Sequence, residues 1–145
     1  MDAKQYMVEI VEPTIADFAN NPTSRRHAFV ACVVTFHAID YLAHPNNPAQ
    51  RRQTFRRESP EFATIDRVAH AFKHVQTGDD RSQYIPPLAA DQIIERPPAI
   101  WDQGVWDLSR WDDTAGGITI KGEHDLDLLD TLKKAAAFLQ TQIPP

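Results

Sequence analysis

The sequence predicts a mainly α-helical domain: a bundle of four to five helices with a small β-hairpin inserted before the C-terminal helix. Apolar residues recur at helical spacing in several segments, and one long stretch, residues 28–43, is almost wholly apolar. Prolines then interrupt any helical pattern between residues 81 and 122. The 145 residues suit one domain, residues 1–145, in which 81–122 form a proline-rich loop and hairpin excursion.

The first segment has a helical pattern broken by a proline. Pro13 lies inside the pattern, so we expect a kink or a new helix with Pro13 in its first turn. Residues 20–24 then break the chain, and Thr23 or Ser24 is suited to cap the next helix. The apolar residues that define the first pattern are Met7, Ile10, Val11, Ile15 and Phe18.

A helix over residues 25–44 is predicted to form the core, and residues 45–48 end it with two prolines. Between residues 28 and 43 the only polar side chains are Thr35, His37 and Asp40. A helix that is apolar on all sides is buried on several sides, so we expect this one to run through the interior.

Two shorter helices are predicted next, a basic one over residues 49–58 and an amphipathic one over 60–76. Alternating residues at 105–111 and 117–121 predict the two strands of the hairpin, with the turn at 112–116. The last helix, residues 125–140, has aspartates in its first turn and lysines further along, as the helix dipole favours.

His37 and Asp40 are three residues apart, so they lie on adjacent parts of one helical surface. In a buried helix each needs a partner, because an unsatisfied buried polar group costs about 1–3 kcal/mol. One interpretation is a polar pair that fixes the register of the core helix. The other is that Asp40 orients His37 as a base or metal ligand in a binding site.

A second group of candidate residues lies on the helix over residues 60–76: Arg67, His70, Lys73 and His74. His70 and His74 have the i, i+4 spacing of a paired metal site, but position 71 is Ala71 rather than the glutamate of a zinc protease. Two ligands do not make a site. A metal-binding protein would need His37, Asp40 or a distant carboxylate to join them, and we predict no metal or other cofactor.

Six residues separate Arg67 from His74, and this spacing resembles the arginine–histidine motif of HEPN-type helical domains, many of which are RNA-cleaving toxins. The resemblance covers the motif and the helical outline. It implies a metal-independent ribonuclease in which Arg67 holds the scissile phosphate and His74 moves protons across a dimer cleft. More broadly, residues 28–30, 37–41 and 71–75 resemble a family of small uncharacterised bacterial helical proteins, a likeness that implies no activity.

Arginines form the third group: Arg25, Arg26, Arg51, Arg52, Arg56 and Arg57. Residues 22–75 hold eight Lys/Arg against four Asp/Glu, although the whole chain has a net charge of −5. An anionic ligand or RNA is one partner that such a basic part predicts. A solvated, partly ion-paired surface is the alternative that we favour.

Trp101, Trp106 and Trp111 recur every five residues, which fits neither helical nor strand spacing. We expect some of them to be buried against the core, with a homodimer contact as a second role. The single cysteine, Cys32, and the absence of a signal or membrane-spanning pattern predict a cytoplasmic protein. The favoured function is a small binding or interaction domain that forms a homodimer, and the alternative is the HEPN-like ribonuclease.

Overall fold

The computed structural model describes residues 1–77, 87–123 and 126–144, and its fold is mainly helical, as predicted. Short antiparallel strand pairs complete it. The helices are α1 (Ala3–Tyr6), a π-helical turn (Met7–Val11), α2 (Glu12–Asn20), α3 (Arg25–Ala43), α4 (Ala49–Glu58), α5 (Pro60–His74) and α6 (Leu128–Thr141). The strands are β1 (Gln76–Thr77), β2 (Leu88–Ala89), β3 (Ile93–Arg96) and β4 (Gly117–Ile120), with a 3-10 turn at Ala90–Gln92.

Of the two outcomes predicted at Pro13, a kink or a new helix, the structure has the new helix. A new α-helix, α2, has Pro13 in its first turn, and the turn before it widens into π geometry. Proline has no amide hydrogen to donate to the preceding turn, so the regular ladder of hydrogen bonds cannot continue through it. The predicted apolar face nevertheless continues through the π-helical turn. Its buried residues are Met7, Val11, Ile15 and Phe18.

Helix α3 is the central helix, packed against α2, α5 and α6. Ser24 caps it by accepting a hydrogen bond from the His27 amide at 3.4 Å, which confirms one of the two predicted caps. The helix was predicted to be buried on several sides, and it does pack against three helices, but it is not covered all round, because Phe29, Val30 and Tyr41 are exposed. Its buried residues form one face at helical spacing: Ala28, Ala31, Cys32, Thr35, Ala38, Ile39, Leu42 and Ala43.

Helices α4 and α5 meet at Ser59, which ends the first and caps the second. The Ser59 hydroxyl accepts a hydrogen bond from the Phe62 amide at 3.0 Å. The predicted bounds of α4 are confirmed, whereas α5 ends at His74, two residues before the predicted end. Phe62, Ile65 and Ala69 are buried, so the predicted apolar face of α5 is the one that packs against α3 and α6.

The sheet that precedes α6 pairs β3 with β4 in antiparallel register, with Ile93 opposite Ile120 and Arg96 opposite Gly117. The predicted strand at 117–121 is therefore confirmed as β4, but its predicted partner at 105–111 is wrong. Residues 105–111 form turns, in which the Leu108 and Ser109 amides both donate to the Val105 carbonyl. Residues 81–86 of the predicted excursion lie outside the described residues.

Helix α6 packs against α3, α5 and β4. Asp127 caps it by accepting a hydrogen bond from the Asp130 amide at 2.9 Å; the predicted start, Asp125, lies outside the described residues. Along the predicted stripe, Leu128, Leu132 and Leu139 are fully buried. No helix among the described residues has the length and apolar character to cross a membrane.

Candidate functional site

The connection between β3 and β4, residues 97–116, carries all three tryptophans of the chain, and we call it the tryptophan loop. Trp101, Trp106 and Trp111 are 93%, 87% and 84% exposed. The prediction that some of them are buried against the core is therefore wrong. Tryptophan has a large apolar surface, so three such rings exposed on one loop are unusual for a soluble protein.

The base of the tryptophan loop is held by a buried arginine. Arg96, only 2% exposed, donates from Nη2 to Asp113 Oδ2 at 2.6 Å and to Asp127 Oδ2 at 2.7 Å. Burial by itself lowers the pKa of Arg96, but its hydrogen bonds to Asp127 and Asp113 outweigh burial and raise it. Burial likewise raises the pKa of Asp113, and the Arg96 guanidinium more than reverses this. Arg96 and Asp113 therefore both stay charged at neutral pH.

Backbone hydrogen bonds close the same base. The Ala99 amide donates to the Asp113 carbonyl at 2.7 Å, so the two ends of the loop are tied together. Asp113 Oδ1 also accepts a hydrogen bond from the Gly116 amide at 2.9 Å, which forms a turn into β4. The loop therefore leaves the core from a fixed base. A functional loop on a rigid scaffold has this arrangement.

All three tryptophans line one open cavity of about 430 Å³, together with Ala99, Ile100, Gly104 and Val105. The centroids of Trp106 and Trp111 are 5.8 Å apart and their planes meet at 75°. Asp102 and Ser109 supply polar groups to the lining. Because Asp102 and the three tryptophans are exposed, the cavity opens to solvent and their side chains are accessible to an incoming group.

The sequence carried a signal for this site that the spacing of the tryptophans alone did not reveal. Each tryptophan is followed directly by an aspartate, so the dipeptide Trp-Asp occurs three times at intervals of five residues. An aspartate next to a tryptophan is compatible with exposure of that tryptophan to solvent, and it has no role beside a tryptophan in the core. Arg96 and Asp127, which hold the loop in place, were not recognisable because their contact joins distant parts of the chain.

His37 and Asp40 form the predicted pair, with His37 Nδ1 2.7 Å from Asp40 Oδ2. Their predicted burial is wrong, since the two side chains are 35% and 48% exposed. They lie on the less buried side of α3, at the edge of a cavity lined also by Tyr6 and Tyr41. Burial is the main reason that the pKa of Tyr6 is raised to about 12, so its hydroxyl remains a donor to the Val34 carbonyl at 2.9 Å.

Asp66 joins α5 to the basic helix α4. Arg52 makes two hydrogen bonds to the Asp66 carboxylate, at 2.6 and 2.9 Å, and Arg56 makes another. His70 Nδ1 lies 3.0 Å from Asp66 Oδ1 and His70 Nε2 lies 3.1 Å from Arg52 Nη2. A neutral imidazole that donates from Nδ1 and accepts at Nε2 satisfies both contacts. Two predicted anion-binding arginines thus hold a carboxylate of their own chain.

The remaining predicted arginines do not form one basic surface. Arg51 donates to the Leu42 carbonyl and its guanidinium lies over the Phe55 ring. Arg25 donates to the Ala90 carbonyl at 2.8 Å. Arg26 lies beside the ring of its neighbour His27, and Arg57 is exposed at the end of α4. These contacts agree with the ion-paired, solvated surface that we favoured.

Arg67 and His74 are not joined in one site by any hydrogen bond among the described residues. Arg67 Nη2 donates to Glu123 Oε1 at 2.8 Å. His74 is exposed, with its ring centroid 5.9 Å from that of His70, and Lys73 is exposed beside it.

His37 of α3 and His70 of α5 approach each other through Phe36. The rings of His37 and His70 both lie against the Phe36 ring, with centroids 5.3 and 4.8 Å from it. Each histidine also has its own carboxylate, Asp40 for His37 and Asp66 for His70. Within residues 1–77, 87–123 and 126–144, no three His, Cys, Asp or Glu side chains are placed to hold a metal ion.

Comparisons of the chain with protein-family models, with curated proteins and with solved structures found no match. The two resemblances drawn from the sequence therefore stay predictions, and function is argued from the geometry of the chain itself.

Proposed function

We propose that this chain is a protein-interaction domain that binds its partner through the tryptophan loop. The observation that supports the proposal is the exposure of three tryptophans around one cavity, on a loop whose base is anchored by Arg96. Tryptophan supplies a large share of the binding energy at protein interfaces, and it does so from clusters that become desolvated on binding. The helices act as the scaffold that positions this loop.

The ribonuclease alternative has less support, because it requires an arginine that can hold a phosphate. Arg67 is already bound to Glu123, and its Nε is buried with no hydrogen-bond partner among the described residues. Arg52 and Arg56 are likewise occupied by Asp66. Phosphate would have to displace a carboxylate in either place.

The proposal is tested by removing the three tryptophans together, as Trp101→Ala, Trp106→Ala and Trp111→Ala. Since the rings are exposed, the triple variant should keep the circular dichroism spectrum and the unfolding midpoint of the wild type. A control variant carries Val8→Ala and Val30→Ala, which remove exposed apolar groups outside the loop.

Each chain is immobilised and used to capture proteins from an extract of the organism that encodes it. A captured protein is then identified, purified and titrated against each chain by calorimetry. We expect the wild type and the control to bind it and the triple variant to lose at least about a hundredfold in affinity, since hot-spot residues contribute 2 kcal/mol or more each. Equal binding by the triple variant would refute the proposal.

A further inference from the structure

We propose that the cavity lined by the three tryptophans receives an arginine or lysine side chain from a basic segment of the partner protein. This inference rests on the proposed function of the tryptophan loop and specifies the chemistry of its partner. The cavity lies on the surface of the loop, and its lining includes the three tryptophans, Asp102 and Ser109 together with small and apolar residues of the same loop.

The aromatic geometry suits a cation. The face of an indole ring carries partial negative charge, and a cation within about 6 Å of the ring centroid is attracted to it. Trp106 and Trp111 meet at a steep angle with centroids 5.8 Å apart, so a group placed in the corner between them is near both rings. Trp101 lines the same cavity, so a third indole contributes to the same environment.

The charge of the loop also favours a cation. Residues 97–116 contain four aspartates and one arginine, Arg110, a net charge of −3. Asp113 is held by Arg96, whereas Asp102 forms no ion pair within the described residues and lines the cavity. A neutral apolar ligand would cover the Asp102 carboxylate without pairing it, which is costly, whereas a guanidinium or ammonium group would pair with it.

The size of the cavity agrees with a side chain as the ligand. A volume of about 430 Å³ lies in the range of cavities that hold small ligands, and it exceeds the space that a single ammonium head group needs. The planar guanidinium of arginine can stack on one indole while its hydrogen-bond donors reach a carboxylate.

A second copy of this chain is a poorer source of the cation than another protein. The arginines of α4 are the densest basic group in the sequence, yet Arg52 and Arg56 are bound to Asp66 and Arg51 is bound to the Leu42 carbonyl. Using these three in a dimer would require breaking these contacts, and the exposed Arg57 would have to act alone. A basic segment of a different protein carries no such cost.

The experiment uses intrinsic fluorescence, because every tryptophan of the chain lies in the loop. The wild type is titrated with a capped peptide of alternating arginine and glycine, and with the same peptide carrying citrulline, which keeps the shape of arginine without its charge. We expect the arginine peptide to change the emission saturably and the citrulline peptide to bind about tenfold more weakly or worse.

Two matched variants test whether the Asp102 carboxylate is the group that pairs with the cation. Asp102→Asn removes the carboxylate that lines the cavity, and Asp107→Asn removes an exposed carboxylate of the same loop that does not. We expect Asp102→Asn to weaken the arginine peptide about tenfold and Asp107→Asn to keep its affinity within about twofold. Equal weakening by both variants would overturn the cavity as the site of the cation, leaving only a diffuse effect of the acidic loop.

Three further outcomes would overturn the inference. Equal affinity for the citrulline peptide, or no binding of either peptide, would show that the cavity does not select a cation. Sedimentation that finds a dimer of the wild type, dissociated by Trp106→Ala, would show that a second copy occupies the loop. In the first two cases the proposed function stands if the triple tryptophan variant still loses the captured partner, so the two proposals fail separately.

Discussion

Arg96 and Asp127 are joined by a hydrogen bond of 2.7 Å that couples the tryptophan loop to the start of α6. The second oxygen of the same carboxylate accepts the Asp130 amide at 2.9 Å and so caps that helix. One aspartate therefore serves the loop and the helix together. Gly117 lies against this contact, and a Cβ at that position would come within 2.8 Å of Arg96 Nη2.

Replacing this arginine should destabilise the whole domain. Arg96→Met removes the cation and leaves Asp113 and Asp127 facing each other across a buried position, and breaking such a network costs about 3 kcal/mol. The free energy of unfolding from urea titration measures the loss. Arg110→Met, which alters an exposed arginine of the same loop, should change stability by less than about 0.5 kcal/mol. Similar effects of the two substitutions would contradict the role given to Arg96.

The lowered pKa of Asp66 predicts that the folded state loses stability in acid. Burial raises its pKa, but hydrogen bonds from His70, Arg52 and Arg56 outweigh burial and lower it from 3.8 to about 2. A carboxyl group whose pKa is lower in the folded state stabilises that state fully above the unfolded pKa. The stabilisation is lost as the pH falls from about 4 to about 2. Its size is about 2 kcal/mol, since one pKa unit corresponds to about 1.4 kcal/mol.

The measurement is the difference in unfolding free energy between the wild type and Asp66→Asn, followed from pH 5 down to pH 2. We expect the difference to shrink across that window as the wild-type carboxylate is protonated. Asp130→Asn is the control, because Asp130 is exposed and pairs with the exposed Lys134. Its effect should be small at each pH. A difference for Asp66→Asn that is independent of pH would refute the assignment.

Gly116 should tolerate alanine much less well than Gly122, although both have positive φ, at 70° and 88°. A Cβ at Gly116 would lie 2.6 Å from the Arg96 carbonyl oxygen, whereas a Cβ at Gly122 meets nothing within 4 Å. Gly122→Ala should cost about 1–2 kcal/mol from backbone strain alone. Gly116→Ala should cost at least about 1 kcal/mol more, because backbone must move to make room. Unfolding midpoints in urea compare the two, and equal costs would place the Arg96 carbonyl elsewhere.

RNA cleavage discriminates the interaction domain from the ribonuclease alternative. Because Arg67 is bound to Glu123, we expect the purified wild type to leave single-stranded RNA intact, and His74→Ala to behave identically. Gel analysis of a labelled RNA with and without EDTA is sufficient. Metal-independent cleavage that disappears in a folded His74→Ala variant would establish the alternative and displace the interaction domain as the primary function.

The helices could be predicted because their ends depend on local signals. Ser24, Pro45 and Ser59 mark boundaries through capping hydrogen bonds or a missing donor, and these effects act within one turn. The sequence could not predict which face of α3 is buried, since apolar residues occur on every side of this helix. The structure shows that the side of α3 that carries Tyr41 is thinly covered, by α1, through the stacking of Tyr6 on Tyr41 at 4.1 Å. His37 and Asp40 lie on that side and are partly exposed.

The site could not be predicted because composition does not distinguish a buried tryptophan from an exposed one. Burial is the commoner fate of aromatic residues, so some of the three tryptophans were predicted to be buried. The decisive contact, Arg96 with Asp127, joins positions whose pairing depends on how β3 meets α6. Likewise β4 pairs with Ile93–Arg96, whose pattern of alternation is too short to stand out in the sequence.

Thr35 is the one polar side chain of α3 that is fully buried, and its hydroxyl has no hydrogen-bond partner among the described residues. Thr35→Val keeps the branched shape and removes the hydroxyl. Since an unsatisfied buried polar group costs about 1–3 kcal/mol, we expect the variant to be more stable by about 1 kcal/mol. Thr35→Ser, which keeps the hydroxyl and loses the methyl group, is the matched control and should be less stable than the wild type. A loss of stability in Thr35→Val, measured by urea unfolding, would mean that the hydroxyl bonds to an internal water.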